Sequence, residues 1–377
     1  MRKLMIAIAV AAISSRAGAQ GALSLQGLGY PTGELSARAE GTGGGIADFD
    51  ALSLVSPASI AAAGSPALFF QYSPEFRRVT AGSSSAKTTT ARFPLVAGIL
   101  PMGQQWTLGL SSSTFLDRSS ETSLVRSVPL GAPGEIVNVT ERNKVLGAIN
   151  DARLALAWEA TPALHIGFGA HVFTGSNRIT FSEIFPDSSK YVSTTQTGRL
   201  SFAGFAGSLG LEYHFSRVIG IALSGRKGGD LRAQSGDTSI GRARLPDHYS
   251  ASMTYDGITG ATISARVAHD AWSSLGSLSL SGTKAFDGWD TGVGVEATGP
   301  RIMQRVLALR AGARIRTLPF GFNGDRVSEK SFVAGLGVPL ARDRASFDFA
   351  AQRASRTSGG SVKETGYILS FGLRVSP

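Results

Sequence analysis

Histidine and serine are the residues of this chain with which covalent chemistry could be done, because the sequence contains no cysteine. Its five histidines are His165, His171, His214, His248 and His269. His165 and His171 fall on the same face of a predicted strand, but they lie too far apart along it to bind one metal ion. Ser176 has an odd offset from His171, which places the two on opposite faces. The pattern predicts neither a catalytic pair nor a metal site, and we expect a protein that is not an enzyme and has no cofactor.

Arginines and carboxylates at alternate strand positions form a second group of chemical interest. In segment 304–318, Arg310, Arg314 and Arg316 share one face, and apolar side chains occupy the other. Arg266, Glu296 and Asp348 take the same face of other predicted strands. Such side chains can form salt bridges across an enclosed interior, or the guanidinium groups can bind the carboxylate of a ligand. The sequence leaves both roles open.

Apolar side chains near a long connection form the third group. Phe115 and Leu116 precede the connection 118–145, and Leu124 and Leu130 lie within it. Water disfavours an apolar solute, so an apolar external surface could capture one. The same side chains could instead pack on the rim of the structure below them. These four residues are the candidates for external capture.

Strands must position all three groups, because one pattern recurs from residue 66 onwards. Alternating apolar and small or polar residues continue for about ten positions and are followed by a turn. In segment 367–375 the odd positions are all apolar, from Tyr367 through Phe371 to Val375, whereas the even ones include Ser370 and Arg374. Successive side chains of a strand point to opposite faces. One face therefore suits hydrocarbon and the other a polar interior, which is typical of an outer-membrane β-barrel.

Fourteen such segments can be counted, an even number as in bacterial single-chain barrels. They are 66–82, 87–100, 104–117, 146–160, 163–182, 191–215, 217–229, 244–256, 259–272, 285–298, 304–318, 328–341, 344–356 and 362–375. Connections after the even-numbered segments are mostly short, and several after the odd-numbered ones are long, as expected for periplasmic turns and external loops. A soluble β-sandwich alternates as well, but strands of this length behind an export signal favour the barrel. We predict an all-β protein, a transmembrane antiparallel β-barrel of about fourteen strands over residues 66–377.

The first residues predict export. Met1-Arg2-Lys3 is basic, residues 4–13 are apolar, and Ala17-Gly18-Ala19 has the small side chains of a cleavage site. We expect residues 1–19 to be a signal peptide that is cut between Ala19 and Gln20. The net charge of +10 is scattered, without a basic run interleaved with aromatic residues. The charge therefore favours an anionic lipid surface and not nucleic acid.

Residues 20–65 differ from the rest, since they are rich in Gly and Ala and lack a strand of useful length. We expect this segment to be a hatch, or plug, inside the barrel lumen; a periplasmic tail is the alternative. Its candidate contact residues are Asp48, Asp50, Ser56, Pro57 and Ile60.

This segment and the strands after it resemble the FadL-like family of outer-membrane transporters for long-chain fatty acids and other hydrophobic compounds. Residues 47–51, Ala-Asp-Phe-Asp-Ala, and 56–61, Ser-Pro-Ala-Ser-Ile-Ala, stand where the family has an Ala-Asp segment followed by Asn-Pro-Ala. Ser56 takes the place of the usual Asn. The resemblance covers nearly the whole mature chain, mostly as pattern and spacing. It implies that N-terminal residues block the barrel, and that a hydrophobic molecule is captured outside and released through a rearranged hatch or a gap in the wall.

We therefore expect a monomer in the outer membrane of a Gram-negative-type bacterium, in contact with outer-membrane lipid. It would be inserted by the barrel-assembly machinery through its C-terminal strand and would carry a hydrophobic small-molecule ligand inward. Two alternatives remain: a general diffusion porin for polar solutes, or a non-transporting adaptor barrel of a secretion machine with a protein partner. Fold alone does not separate them.

Overall fold

The structure, a computed structural model, describes residues 23–82, 84–129, 136–279, 283–302, 305–341, 344–360 and 362–376. Within these ranges the chain forms seventeen strands of one antiparallel sheet. The strands are β1 (Tyr30–Pro31), β2 (Ala67–Ala81), β3 (Ser84–Met102), β4 (Trp106–Asp117), β5 (Ser120–Pro129), β6 (Ile136–Thr161), β7 (Leu164–Ile184), β8 (Thr194–His214), β9 (Ile219–Ser235), β10 (Thr238–Arg244), β11 (His248–Ile258), β12 (Ala261–Asp270), β13 (Gly288–Ile302), β14 (Arg305–Thr317), β15 (Ser328–Leu340), β16 (Ala345–Thr357) and β17 (Val362–Val375).

Fourteen of these strands close into a barrel, because β17 pairs with β2 and each other strand of the ring pairs with its neighbour on either side. The short strands β1, β5 and β10 lie outside this ring order. They extend the sheet by pairing with β4, β6 and β9, while β4 pairs directly with β6 and β9 with β11. The prediction of an antiparallel barrel of about fourteen strands is confirmed. No helix of the described residues is long and apolar enough to cross a membrane.

The two faces of the wall carry the side chains that the alternation predicts. In β17, Glu364, Ser370 and Gly372 are buried on the inside, whereas Tyr367 and Leu373 are 52% and 41% exposed on the outside. Every other strand of the ring except β16 also carries large exposed apolar residues, such as Phe168 on β7. An apolar outer face is what contact with lipid requires.

The N-terminal segment, residues 23–65, lies against the inward face of this wall. A short helix, α1 (Ala37–Gly41), begins at Ser36, whose hydroxyl accepts a hydrogen bond from the backbone N–H of Ala39. It contacts β14 to β17, and a 3-10 helix at Ala58–Ala62 contacts β4, β6, β7 and β8 on the opposite side. A second 3-10 helix, Leu23–Leu25, contacts β16 and β17. The segment therefore reaches walls on both sides of the interior.

Candidate transport site

Asp48 joins the N-terminal segment to three neighbouring strands. Its buried carboxylate accepts hydrogen bonds from Ser224 Oγ (2.9 Å) and Ser250 Oγ (2.7 Å), from Ser252 Oγ, and from Arg266 Nε (3.0 Å). Burial disfavours the charged form, but the guanidinium of Arg266 and the hydroxyls outweigh it and lower the pKa of Asp48. Asp48 is therefore an ionised carboxylate whose partners all belong to the wall.

A second polar junction lies between α1 and β13, β14 and β16. Arg38 donates from Nε and Nη2 to the Glu296 carboxylate, at 2.9 and 2.7 Å. Arg310 donates to Glu296 (2.6 Å) and to Asp348 (2.6 Å). The predicted lumen charges Glu296, Arg310 and Asp348 are thus brought together with a residue of the N-terminal segment. Asp50, by contrast, accepts from Ser36 and Ser53 of its own segment and stabilises the local turn.

A third junction is centred on Arg356, which is fully buried. It donates to Glu329 (2.5 Å), to Glu75 (2.7 Å) and to Glu364. Tyr30 of the N-terminal segment lies beneath the Arg356 guanidinium. Its ring centroid is 4.4 Å from Arg356 Cζ, and its hydroxyl is 2.8 Å from the Glu329 carboxylate.

Arg314 and Arg316 connect these junctions along β14. Arg314 pairs with Asp290, and Arg316 donates to Glu329 (2.7 Å) and to the Tyr30 hydroxyl. The four candidate lumen arginines, Arg266, Arg310, Arg314 and Arg316, therefore each have a carboxylate partner in the described structure.

Glycines of the barrel wall allow the backbone of the N-terminal segment to lie directly against the wall. A Cβ atom at Gly292 would lie 2.1 Å from the Gly43 carbonyl oxygen, and one at Gly312 would lie 2.3 Å from the Thr42 carbonyl carbon. Only a residue without a side chain leaves room for backbone at these distances. Alternation in the sequence does not distinguish these glycines from the other inward positions of β13 and β14.

The predicted Ser-Pro contact also rests on glycines. Ser56 and Pro57 lie against Gly167 of β7 and Gly210 of β8, where a Cβ would come within 2.4 Å of the segment. Ile60, 1% exposed, packs with Leu54, Leu95 and other apolar residues between the 3-10 helix and the wall.

An aromatic cluster lies in the interior beside the end of β4 and the middle of β7. Phe115 packs edge-on against Phe173 and stacks with Trp272, with ring centroids 4.9 and 5.4 Å apart. The buried members of the cluster are Leu28, Phe115, Leu116, Ile149, Phe173, Phe202, Leu231, Ala233, Ala243, Leu245, Trp272, Leu275, Ala285 and Phe320. Phe115 and Leu116, which the sequence predicts for an external capture surface, lie instead inside the barrel, at the end of β4.

Leu124 lies on the external hairpin of β5 and β6 and is 39% exposed. Leu130 and the predicted cleavage residues Ala19 and Gln20 lie outside the described residues.

A serine, a histidine and a carboxylate form a hydrogen-bonded chain that sequence spacing did not reveal. His171 Nδ1 is 2.9 Å from Asp151 Oδ2, and His171 Nε2 is 2.8 Å from Ser208 Oγ. The three residues come from β6, β7 and β8, so only the barrel pairing brings them together. The backbone N–H groups around these three residues take part in hydrogen bonding between the strands. They are therefore not available to a ligand. The described residues include no group of three or more His, Cys, Asp or Glu side chains placed to hold a metal ion.

Two cavities border the N-terminal segment. One of about 520 Å³ lies between residues 49–65 and the β14–β16 wall, and Arg38, Arg310 and Asp348 line it. A smaller one of about 60 Å³ contains Glu40, between Tyr30 and Arg316. Burial raises the pKa of Glu40 to about 7, against the opposing effects of Ser370, Arg314, Arg316 and Gln71.

The same fold is found in solved structures of a FadL homologue, a toluene transporter and a hydrocarbon channel. A FadL homologue from Pseudomonas aeruginosa matches 93% of this chain and 99% of its own, with a TM-score of 0.62 and 11% identity. The Ralstonia pickettii toluene transporter TbuX matches 91% and 98% (TM-score 0.56, 14% identity), and the CymD monoaromatic hydrocarbon channel 94% and 99% (TM-score 0.56, 13% identity). No protein-family model and no curated protein matches the sequence. The resemblance to FadL-like proteins is therefore confirmed in the fold, over nearly the whole chain.

Proposed function

We propose that this chain is an outer-membrane barrel that takes up hydrophobic small molecules, long-chain fatty acids or similar apolar compounds, through a lumen gated by residues 20–65. In this proposal residues 1–19 are a signal peptide, residues 20–65 are the hatch, and residues 66–377 are the barrel. The protein works as a monomer surrounded by outer-membrane lipid and enters the membrane by the barrel-assembly machinery.

The aromatic cluster is the observation that carries the proposal. Its residues line the interior near the external ends of the strands, where a solute from outside would arrive. A pore for polar solutes needs a polar, hydrated lumen, whereas buried aromatic and aliphatic side chains can exchange contacts with an apolar guest without exposing it to water. The fold that the chain shares with a FadL homologue and with toluene transporters supports the same function.

The three polar junctions support the gating role of the segment. Asp48, Arg38 and Tyr30 each bond to side chains of the barrel wall. Hydrogen bonds are short-range and directional, so a modest displacement of the segment would break them. This is the kind of contact that a removable hatch needs.

Single-channel conductance in planar bilayers tests the proposal. We expect the mature chain to be silent and a variant without residues 20–60 to conduct, because the segment occupies the lumen. Liposomes containing the intact chain should take up toluene or dodecanoate faster than protein-free liposomes do, and they should exclude a polar dye of similar size that the truncated chain admits. Steady ohmic conductance of the intact chain would instead support the diffusion porin, and a silent truncated chain that transports neither solute would support the adaptor.

A further inference from the structure

We propose that the outer face of β15, β16, β17, β2 and β3 binds a lipid of the external leaflet whose head group carries more than one phosphate, as lipopolysaccharide does. The inference goes beyond the proposed function, because this surface points away from the lumen. It depends on the barrel lying in the outer membrane and not on the solute that the lumen carries.

Five basic side chains are exposed on this surface, near the edge of the barrel at which the long connections lie. Along each strand they alternate with buried side chains. Arg78, for example, stands between the buried Arg77 and Val79. Alternate positions of a strand point to opposite faces, so the five side chains point outward, to where lipid lies. They are Arg78, Lys87, Lys330, Arg353 and Lys363.

The strand register brings these cations together. It places one outward residue of each strand in a single row, which consists of Lys330, Ser355, Thr365, Arg78 and Lys87. Lys363 lies one outward position nearer the external edge than this row, and Arg353 lies one outward position farther from it. With about 4.8 Å between neighbouring strands, the row is roughly 19 Å wide. One phosphate group cannot reach across it, so the patch suits a head group with several phosphates.

The outward side of these five strands carries no carboxylate to neutralise the cations. Their acidic residues are all buried on the inward side, and they are Glu75, Glu329, Asp348 and Glu364. In the described ranges of the chain, no carboxylate forms a salt bridge with any of the five cations. The external hairpin of β5 and β6 differs, since its exposed Arg142 and Lys144 both pair with Glu121.

Arg78 and Lys87 lie directly opposite each other on neighbouring strands. Like charges in this position destabilise a strand pair. An anion bound between them would remove the repulsion, and no side chain of the wall supplies one. The pair is therefore the centre of the proposed site.

Aromatic side chains indicate the depth of the patch in the membrane. Phe332, Tyr367 and Phe76 are exposed, and the register places them in one row with Arg353, farther from the external edge than Lys330. In membrane barrels such aromatic residues form girdles where the hydrocarbon meets the head groups. The cations beyond this row thus lie at the depth of the lipid head groups, where a charge on the lipid-facing side costs little.

The chemistry of the patch favours a phosphorylated lipid over other occupants. Arg and Lys bind phosphate through charge-assisted hydrogen bonds, and each cation near an anionic leaflet adds to the attraction. A second copy of this chain would bring the same five positive charges against each other, which opposes self-association through this face. Only a few residues connect β2 to β3 and β16 to β17, so a lipid can approach the patch from the side.

Binding of lipid A with and without its phosphates tests the proposal. The mature full-length chain in detergent micelles is mixed with bisphosphorylated lipid A, with lipid A from which both phosphates have been removed, or with phosphatidylglycerol. Bound lipid is measured by native mass spectrometry. We expect the native chain to bind bisphosphorylated lipid A about tenfold or more tightly than either of the other lipids. In Arg78→Gln/Lys87→Gln its affinity for this lipid should fall about tenfold or more, and Lys330→Gln/Lys363→Gln should weaken binding as well.

Arg142→Gln/Lys144→Gln is the matched control, because it removes two charges from exposed side chains that already have a carboxylate partner. It should bind bisphosphorylated lipid A as the native chain does. The electrophoretic shift of the folded barrel verifies each variant, and the comparison of lipids on the native chain needs no substitution.

Equal affinity of the native chain for lipid A with and without phosphates would overturn the inference. So would an equal loss of affinity in the control and in Arg78→Gln/Lys87→Gln, since net charge alone would then explain binding. Phosphatidylglycerol bound as tightly as lipid A would overturn the choice of a lipid with several phosphates. None of these results bears on the proposed function, which conductance and uptake test separately.

Discussion

The interior of the barrel contains two regions that are built from different side chains. On the β12–β17 wall with β2, arginines and carboxylates form paired networks that hold Arg38, Asp48 and Tyr30 of the N-terminal segment. Near the ends of β4 to β10, aromatic and aliphatic residues dominate, and the segment contributes Leu28.

Under the proposed function, the difference separates gating from binding. Ion pairs and hydrogen bonds specify one geometry and are lost when a partner moves away, whereas apolar contacts are non-directional and can be made with many partners. The polar region is therefore suited to fixing the segment in one position. The aromatic cluster is suited to accepting a guest whose shape is not fixed in advance.

The largest expected effect is in the polar region, at Arg356. Arg356→Met leaves Glu75, Glu329 and Glu364 close together and without their shared cation. Breaking a buried ion-pair network in this way costs about 3–5 kcal/mol. We expect a lower free energy of unfolding in urea, measured from the electrophoretic shift of the folded barrel, and intermittent conductance.

Phe173→Leu is the matched change in the aromatic cluster. It keeps an apolar side chain of similar volume, so it should cost only about 1 kcal/mol and leave the barrel silent while weakening ligand binding. If the two variants open the channel equally, the division between the two regions is wrong.

The division could be predicted from the sequence only in part. Alternation placed Arg310, Arg314 and Arg316 on the inward face, because a strand has a period of two whatever surrounds it. The turns and strand count followed from the same pattern. Which carboxylate each arginine meets depends on barrel register and on the path of the segment, and neither is encoded locally. For the same reason Phe115 and Leu116, which stand beside a long connection in the sequence, could not be recognised as interior residues.

Asp48→Asn should have the next largest effect, because Asp48 connects the segment to β9, β11 and β12 with one carboxylate. The amide keeps the shape but loses the charge, and its NH₂ group cannot accept from Arg266 or a serine. Hydrogen bonds to a charged group are worth about 1.5–3 kcal/mol, so we expect docking of the segment to weaken by a comparable amount. Brief channel openings in a planar bilayer would show this weaker docking of the segment.

Asp50→Asn provides the comparison, since Asp50 accepts from Ser36 and Ser53 of its own segment. Asp50→Asn should disturb the local turn, but the channel should open less often than in Asp48→Asn. A silent Asp48→Asn channel with native stability would mean that the junction at Asp48 does not hold the segment.

The smallest expected effect is a pH dependence that originates at Glu40. The pKa of this carboxyl is about 7 in the docked segment, against an ordinary value of 4.5, because burial opposes ionisation. Below the ordinary value the group is protonated whether the segment is docked or free, and docking is at its most favourable. As the pH rises from there to about 7, the free segment loses its proton more readily than the docked one, so docking weakens. Above about 7 both forms are ionised, and no further change is expected.

The frequency of channel openings should therefore rise between about pH 5 and pH 7 and then level off, and Glu40→Gln should remove this rise. Glu121→Gln, on the exposed external hairpin where Glu121 pairs with Arg142, should leave it unchanged. The Gln71 side-chain amide lies 3.4 Å from the Glu40 carboxylate and can bond to a glutamine there as well, so the variant keeps the local contact and changes only the titration. An identical pH profile in Glu40→Gln would assign the dependence to another group. The segment would then be held by the ion pairs of the polar region alone.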